Sequence, residues 1–549
     1  MDRRVDMLNG EDIKRDRGSD SVKYFLPGQI ILHIEHPEEV TSDELIKATT
    51  EFLYDKEEGQ EWKNRIEPPR EESIITFPRW EDRDFAFSLI PTQLPKGEAN
   101  DKKLIELHND LNIRLQDNPI NIRENINLKM APLNWLVGGA HGQSGTGGPS
   151  SWPLEADIPI GNSTKFQLLN KQGVISQLAS VNERGSGVHV AILDTAPSQH
   201  ALDRAYSEWH WHHPLIESML RPNGLLRVYS ASYADLHPLD DYDLLRHRYL
   251  MRDHGLFIAG IIHTIAPEAT LHLYEVLNPY GVGSLQTIAQ GLQKVLQNPE
   301  IKDGNPLIIN CSFMLGIPVK RGDSYDWEKF YRDFPQEFQN LETLQQISKS
   351  TQEIFDNVAS RKNTTIVAAA GNDAHDDIRP DARYPAAFDT VIGVGALPQT
   401  LNQVIGQYKA ASYSNLSDVP VPGSYITLGG EPGQEQGVLG VFIGEFPEYE
   451  AWGFLEFLRR IFPFVRKLGH LPKKVRLERI KYKRNLNGWA WWAGTSFATP
   501  VVSGILAAKH NQQGALGTPD SPHVQGILGS LLQNVETDKQ EKVILVRQG

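Results

Sequence analysis

The sequence is poor in cysteine and carries no excess of positive charge. Its 549 residues include one cysteine, Cys311, which excludes an intrachain disulfide and a metal site built from cysteines alone. The net charge of −14 argues against a dedicated nucleic-acid binder, because the phosphate backbone requires a basic surface. Hydrophobic residues make up 40% of the chain, enough for a substantial buried core. We therefore expect a globular protein that does not bind nucleic acid.

Long apolar runs are also missing. Residues 1–20 are charged throughout and lack the apolar segment of a signal peptide. No uninterrupted apolar run elsewhere is long enough to span a bilayer. The scarcity of cysteine is compatible with a reducing compartment. We therefore expect a cytoplasmic protein without a membrane partner.

The first part of the chain mixes strand and helix patterns. The predicted elements are, in order, a strand at 28–35, a helix at 41–53, a strand at 85–92 and a helix at 102–112. Residues 138–153 are rich in Gly, Ser and Pro, which is typical of a flexible connection. The sequence therefore predicts an α+β domain over 21–140 and a linker over 141–176.

From about residue 185 onward, short β-branched runs alternate with longer helical stretches. The predicted buried strands lie at 188–193, 269–277, 306–313, 364–370 and 390–397, and the predicted helices between them at 284–296 and 341–359. This alternation is typical of an α/β fold with a doubly wound, mainly parallel sheet. Ligand sites in such sheets lie at the carboxyl ends of the strands.

Four polar residues stand at or near such ends. Asp194 and Asn372 each follow a predicted strand, and His254 begins a predicted helix. Ser496 lies at a glycine-led turn that opens an apolar helix. Each residue alone is unremarkable, since most Asp and His residues are structural. Their joint occurrence in this order indicates a common site.

Together, these residues and their neighbours resemble the subtilisin-like serine proteases, the subtilase family (peptidase family S8). The resemblance rests on four segments: AILDTA (191–196), HGLFIAGI (254–261), AAGN (369–372) and GTSFATP (494–500). It covers roughly residues 185–510. We therefore expect a subtilisin-like catalytic domain over 177–512, followed by a C-terminal tail over 513–549.

The resemblance implies a serine endopeptidase that works through an acyl-enzyme. Asp194, His254 and Ser496 would form the catalytic triad, and their chain order differs from that of chymotrypsin-like enzymes and α/β-hydrolases. Asn372 would complete the oxyanion hole. A protein of another class, a noncatalytic peptide-binding scaffold that uses the same cleft, is the alternative.

Two segments are expected to contact the substrate. By the resemblance, one pairs with the substrate backbone and the other lines the primary specificity pocket: Ser312, Phe313 and Met314, and Ala369, Ala370 and Gly371, respectively. Met314 replaces a glycine of the family, so a thioether is expected to narrow the cleft. Thr195, Ala196, Leu256 and Phe257 also depart from the family pattern, with small or apolar side chains.

No metal site or cofactor is predicted. His210, His212 and His213 have a spacing that could bind a metal, but a solvated loop is the simpler interpretation. Subtilases often bind structural calcium, yet no oxygen-rich loop in this sequence indicates such a site. Cys311, beside the expected substrate strand, is interpreted as an inert small hydrophobe rather than a redox switch.

Two flanking regions suggest regulation. Many subtilases carry an N-terminal propeptide that caps the active site, and the domain over 21–140 is either such an intramolecular inhibitor or a permanent accessory domain. Residues 429–488 form an insertion before Ser496, and within it residues 456–484 hold eleven Lys and Arg against two Glu, a local charge of +9. The insertion is an exosite or lid for an acidic substrate or partner, a solvated structural addition, or an amphipathic membrane-surface element. Limited processing of an intracellular protein is the expected role.

Overall fold

The protein was analysed as a computed structural model. It describes residues 25–54, 73–78, 85–94, 101–117, 119–139, 153–158, 165–169, 175–177, 184–237, 239, 250–317, 341–374, 379–399, 409–415, 424–433, 435–448, 481–510, 514–533 and 542–548. Most of the basic segment 456–484 lies outside these residues. Within the described ranges, no helix combines the length and the apolarity needed to cross a bilayer.

The N-terminal region is an antiparallel sheet with two helices. Its elements are β1 (Phe25–His36), α1 (Ser42–Tyr54), β2 (Ile75–Phe77), β3 (Ala86–Gln93), α2 (Asp101–Asp117), β4 (Ile120–Arg123), β5 (Ile126–Met130) and β6 (Leu133–Gly139). Thr41 and Glu44 form the capping box that starts α1, with hydrogen bonds of 2.9 and 3.3 Å between side chains and backbone. The two strands and two helices predicted for this region are confirmed, within a few residues at each end.

Three short strands follow: β7 (Leu154–Glu155), β8 (Phe166–Leu169) and β9 (Ile175–Gln177). Apart from Gln177, they lie within residues 141–176, which the sequence assigned to a linker. β7 pairs with a strand near Ser496, and β8 pairs with the last strand of the chain. These two strand pairings attach this part of the chain to the domain that follows.

That domain is built on a nine-stranded sheet. Its first elements are β10 (His189–Asp194), α3 (Gln199–Trp209), α4 (Pro214–Leu220), β11 (Leu226–Tyr229), α5 (Tyr233–Leu236), α6 (His254–Ile265), β12 (Thr270–Glu275), β13 (Val282–Ser284), α7 (Leu285–Leu296), β14 (Leu307–Cys311), β15 (Phe313–Leu315), α8 (Leu341–Ala359), β16 (Thr364–Ala369), β17 (Val391–Leu397) and β18 (Ser424–Leu428). All five predicted strands and both predicted helices are confirmed.

The last elements complete this domain. They are β19 (Val438–Val441), β20 (Glu445–Glu448), β21 (Lys481–Arg484), β22 (Trp489–Trp492), α9 (Thr495–Lys509), α10 (Pro522–Gly529), β23 (Leu532–Gln533), β24 (Val543–Ile544) and β25 (Val546–Gln548). The stretch expected to be a tail thus contains a helix and three strands. β24 pairs with β18, and the buried Val524 and Leu528 of α10 belong to the same hydrophobic cluster as α9.

The strand order of the large sheet is β11-β12-β10-β14-β16-β17-β18-β24-β23. Every pairing is parallel except β23 with β24. The chain order reverses between β10 and β14, and such a reversal opens a crevice at the carboxyl ends of the strands. The α/β fold predicted from the sequence is therefore confirmed, with the N-terminal antiparallel sheet beside it.

The N-terminal sheet shares a hydrophobic core with this domain. Ile31 and Trp135 belong to the same buried cluster as Ile288 of α7 and Phe355 of α8. Gln293 of α7 donates a 2.8 Å hydrogen bond to the carbonyl of Thr76. The two parts therefore pack as one body in this structure, with α7 and α8 between the two sheets.

Candidate active site

Asp194 and His254 are in contact where the end of β10 lies beside the start of α6. Asp194 is the last residue of β10 and His254 the first of α6. The ring nitrogen Nδ1 of His254 lies 2.8 Å from Oδ1 of Asp194, and both side chains are fully buried. A buried carboxylate at this nitrogen fixes the orientation and the tautomer of the imidazole ring.

Thr195 fixes this pair. Its backbone N–H donates to Oδ1 of Asp194 at 2.7 Å, and its hydroxyl donates to the carbonyl of Met251 at 2.8 Å. The residue therefore connects the end of β10 to the turn that precedes α6. Gly255 is needed beside it, because a Cβ there would lie 2.3 Å from the carbonyl oxygen of Thr195. The sequence indicated only that Thr195 departs from the family pattern, and its connecting contacts appear in the fold.

Ser496 is the second residue of α9, near the positive end of the helix dipole. Its Oγ donates a 3.2 Å hydrogen bond to the carbonyl of Ser312, the residue that separates β14 from β15. A buried relay holds this contact: Ser503 donates to Asn310, Asn310 to the Ser312 hydroxyl, and that hydroxyl to the Ser496 carbonyl, each at 2.9 Å. Ser312, predicted to contact substrate, is thus also tied to Ser496.

Asn372 follows β16 and is 4% exposed. Its Oδ1 accepts two hydrogen bonds of 2.9 Å, one from the backbone N–H and one from the hydroxyl of Thr495. The same hydroxyl accepts from the N–H of Gly371 at 3.2 Å. Because Oδ1 is held this way, the Nδ2 donor of the amide is directed away from Thr495. Sequence reasoning missed Thr495 as an orienting residue, although it lies within GTSFATP.

Aromatic rings enclose His254. The ring centroids of Trp492 and Phe497 lie 5.2 and 5.3 Å from that of the imidazole, and Phe257 packs against both aromatic rings. Trp492 belongs to β22, which pairs with β19 and β7 to form a three-stranded sheet. β19 lies within the insertion, and its partner strand β22, which follows the insertion, carries the tryptophan that packs on His254. No motif in the sequence indicated this contact.

Strand β6 of the N-terminal region runs alongside the site. It pairs antiparallel with β15, where Phe313 lies opposite Gly139 and Met314 opposite Gly138. On its other side it pairs antiparallel with β13, where Val282 lies opposite Gly138. Phe313 and Met314, predicted to pair with a substrate backbone, thus pair with the chain's own N-terminal region.

The second predicted substrate segment leads directly to Asn372. Ala369 ends β16, and Ala369 and Ala370 are fully buried. Gly371 has a φ of +110°, which favours glycine, and a Cβ there would lie 2.7 Å from Nδ2 of Asn415 and 2.9 Å from Cγ of Arg383. The segment 369–371, called the pocket wall below, is therefore closely packed against Arg383 and Asn415.

The remaining candidates do not form a site. Among the described residues, no three His, Cys, Asp or Glu side chains are grouped to hold a metal. His213 stacks on Trp489 at 3.9 Å and His210 contacts the carbonyl of Tyr206, so the two rings serve local packing. Cys311 is fully buried in β14, and burial raises the pKa of its thiol, which disfavours the reactive thiolate.

Comparisons with known proteins give one family match and several similar solved structures. The sequence model of the subtilase family matches residues 185–549. A search of curated proteins finds no match. Similar solved structures include a cold-adapted subtilisin-like serine proteinase (17% identity, TM-score 0.34, covering 68% of this chain and 93% of that one) and a lanthipeptide protease (19%, 0.37, 66% and 87%). A third is the prenylagaramide maturation protease PagA (16%, 0.32, 65% and 86%).

The family match covers about two thirds of the sequence, including all four strand-end and helix-start residues described above. A match of this extent establishes membership and, with it, a serine-type endopeptidase. The chain belongs to the subtilase family.

Proposed function

We propose that Asp194, His254 and Ser496 form the catalytic triad of this endopeptidase. The observation that supports it best is the fully buried contact of 2.8 Å between His254 Nδ1 and Asp194 Oδ1. An aspartate in this place keeps the imidazole in the tautomer that can accept a proton at Nε2. Serine alone is a weak nucleophile at neutral pH, so such a base is required.

The reaction follows from these roles. His254 takes the proton of Ser496 as Oγ attacks the carbonyl carbon of the scissile bond, and then gives that proton to the departing amine. The acyl-enzyme that remains is hydrolysed by a water molecule activated in the same way. Asp194 stabilises the imidazolium formed in each half of the reaction.

Asn372 is proposed to hold the oxyanion. Its Nδ2 and the backbone N–H of Ser496 at the start of α9 supply two donors for the negative oxygen of the tetrahedral intermediate. The hydrogen bonds from Thr495 to Oδ1 support this role, because they fix the amide before the substrate arrives. A fixed donor costs no reorganisation when the charge develops.

The N-terminal region is proposed to act as an intramolecular inhibitor. A substrate bound between β13 and β15 would make the same antiparallel pairs that β6 makes now. The Oγ of Ser496 contacts Ser312, which directly precedes β15, so β6 ends next to the proposed nucleophile. We further propose that the chain is cut shortly after Gly139.

The physiological substrate is proposed to be an intracellular protein that undergoes limited processing, with an acidic stretch recruited by residues 456–484. Two cations at the described end of that segment already have partners. Within β21, Lys483 contacts Glu155, and Arg484 contacts Glu208 at 2.7 Å. Acidic groups of this chain pair with these two cations, so an acidic stretch of a substrate would be recruited by the other Lys and Arg residues of 456–484.

A fluorophosphonate probe tests the activity. Such probes label only an activated serine, so covalent labelling that Ser496→Ala abolishes is expected. Ser360→Ala is the matched control, because the Ser360 hydroxyl donates to the carbonyl of Asn357 ahead of β16, at the end of that strand opposite Asn372. Binding of peptides without any labelling would instead indicate the noncatalytic scaffold.

N-terminal sequencing of active protein tests whether the N-terminal region is an inhibitor that is removed by cleavage. A new N-terminus just beyond Gly139, with a lag in activity that ends as the cut proceeds, is expected. An intact Met1 in fully active enzyme would contradict the proposal and favour a permanent accessory domain.

A further inference from the structure

We infer that a buried ion pair, Arg383 with Asp373, restricts the residue before the scissile bond to a small side chain. The inference rests on the proposed function and concerns its substrate class. The position of that residue follows from the chemistry. Its carbonyl carbon bonds to Ser496 Oγ and its oxygen lies at Asn372, so its side chain starts within a few ångströms of Gly371.

Arg383 lies beside the pocket wall formed by Ala369, Ala370 and Gly371. Its backbone N–H donates to the carbonyl of Ala370 at 2.8 Å, so the two segments run side by side. Its Cγ would lie 2.9 Å from a Cβ on Gly371. The arginine stem therefore packs directly against the glycine that precedes Asn372.

The charged end of this side chain is fixed as well. Nε of Arg383 donates to Oδ2 of Asp373 at 2.8 Å and Nη2 donates to Oδ1 at 3.0 Å, a bidentate pair with 1% and 0% exposure of the side chains. Asn415 completes the cluster, with Nδ2 donating to Asp373 at 3.0 Å and Oδ1 accepting its backbone N–H at 2.7 Å.

This cluster resists displacement. A large substrate side chain could enter only by moving Arg383, which would leave Asp373 as a buried charge without its cation. A methyl group needs no such movement. The space that would form a deep pocket is thus filled by the protein's own side chains.

The sequence at the end of β6, the strand in the cleft, fits a preference for a small residue before the scissile bond. β6 ends in Gly138 and Gly139, and the next residue in the sequence is Ala140. Phe313 and Met314 lie opposite the two glycines, so the positions just before the cut face bulky partners from β15. A substrate with small residues at these positions matches the occupant that the chain itself supplies.

The test compares two peptides that follow the chain from Leu136 to Gly142, one with Ala and one with Phe before the scissile bond. Processed full chain is expected to cleave the Ala peptide at least about tenfold faster in kcat/KM, the scale expected when a packed site must accept extra volume. Equal or faster cleavage of the Phe peptide would overturn the inference, as would cleavage of neither by protein that the fluorophosphonate labels. Absence of labelling would remove the proposed function and this inference with it.

A double variant tests whether the ion pair causes the preference for Ala over Phe. The double substitution Arg383→Ala with Asp373→Ala removes both charges and is expected to shift the Phe-to-Ala ratio towards Phe by at least about tenfold. Arg361→Ala is the matched control: Arg361 is also buried, but its guanidinium contacts Thr364 at the opposite end of β16. An unchanged ratio in a folded, labelled double variant would overturn the role of the pair. If the double variant does not fold, the wild-type peptide comparison decides.

Discussion

The two sheets of this protein supply different parts of one site. The parallel sheet carries Asp194 and Asn372 at the ends of two strands and buries both completely or nearly so. The antiparallel sheet joins two domains, because β6 comes from the N-terminal region while β13 and β15 come from the catalytic domain. The proposed reactive groups thus lie at strand ends and helix starts within one domain. The cleft beside them is filled by strand pairing between two domains.

The two sheets should therefore affect activity in different ways. Strand-end groups are held by hydrogen bonds over a few ångströms, so removing one should reduce catalysis and leave the fold intact. Strand pairing depends on backbone groups of consecutive residues, so its loss should change access to the site rather than the chemistry. Substitutions in each sheet can test this separation.

The largest effect is expected from Asn372→Ala. Loss of the proposed oxyanion donor should lower kcat by about 10²–10³ while KM stays within about threefold, as is typical for such a donor. Steady-state kinetics on one peptide measures both constants. Asn415→Ala is not a suitable control because Asn415 contacts Asp373. Asn487→Ala serves instead, because the Asn487 amide donates to the carbonyl of Ala156. An unchanged kcat would exclude Asn372 from the oxyanion hole.

The next effect concerns the antiparallel sheet. Val137→Pro places a residue without N–H in the middle of β6, where both neighbours are strands, and should weaken the pairing with β13 and β15. We expect the uncut chain, separated by size on a gel, to react with the fluorophosphonate at least about tenfold faster. The lost backbone hydrogen bond contributes about 1–1.5 kcal/mol, and the proline ring also disturbs the pairing of the neighbouring residues.

Asn121→Pro on strand β4 is the control, because this residue is exposed and, among the described strands, β4 pairs with β5 alone. Similar labelling rates for the wild-type chain and both variants would show that β6 does not restrict access to Ser496.

A smaller effect is expected from Thr495→Val. The change removes the hydroxyl that holds Oδ1 of Asn372 but keeps the backbone N–H that also holds it. We expect kcat to fall by about tenfold, the equivalent of one hydrogen bond of about 1–1.5 kcal/mol. Thr495→Ser should restore most of the rate. A loss that Ser does not restore would indicate a packing defect instead.

The smallest effect concerns stability at the base of the insertion. Asp253, next to His254, is buried, and burial raises the pKa of its carboxyl from 3.8 to about 7 even though Ile443 and Gly444 donate backbone hydrogen bonds to it. Between about pH 4 and pH 7 the unfolded chain ionises this group while the folded chain retains its proton. The folded state therefore loses stability as the pH rises through this range.

Asp253→Asn removes this ionisation. Relative to wild type, the variant should therefore gain stability between pH 4 and pH 8. A backbone hydrogen bond lost on substitution lowers stability equally at both pH values and cancels from this difference. Thermal melts at the two pH values measure the difference. Asp203→Asn, at an exposed position of α3, should show the wild-type pH dependence. Parallel behaviour of all three proteins would exclude Asp253 as the source.

Local patterns in the sequence were sufficient for much of the catalytic domain. The five buried strands are continuous apolar runs, and a parallel sheet buries such runs on both faces, so their prediction needed no distant contact. Asp194, His254, Asn372 and Ser496 could be proposed together because the subtilase motifs place them in one order. The strands β7, β24 and β25 were not predicted, because segments of two or three residues carry no periodicity and form only when a partner strand is present.

By itself, the sequence determined the family, the strand-and-helix order and the identities of the proposed catalytic residues. These depend on side-chain type and spacing along the chain, which are local properties. Only the tertiary structure decided that Thr195 and Thr495 hold Asp194 and Asn372, that β6 lies between β13 and β15, and that Arg383 packs against Gly371. Such contacts join residues far apart in the chain, and packing of the whole core selects them.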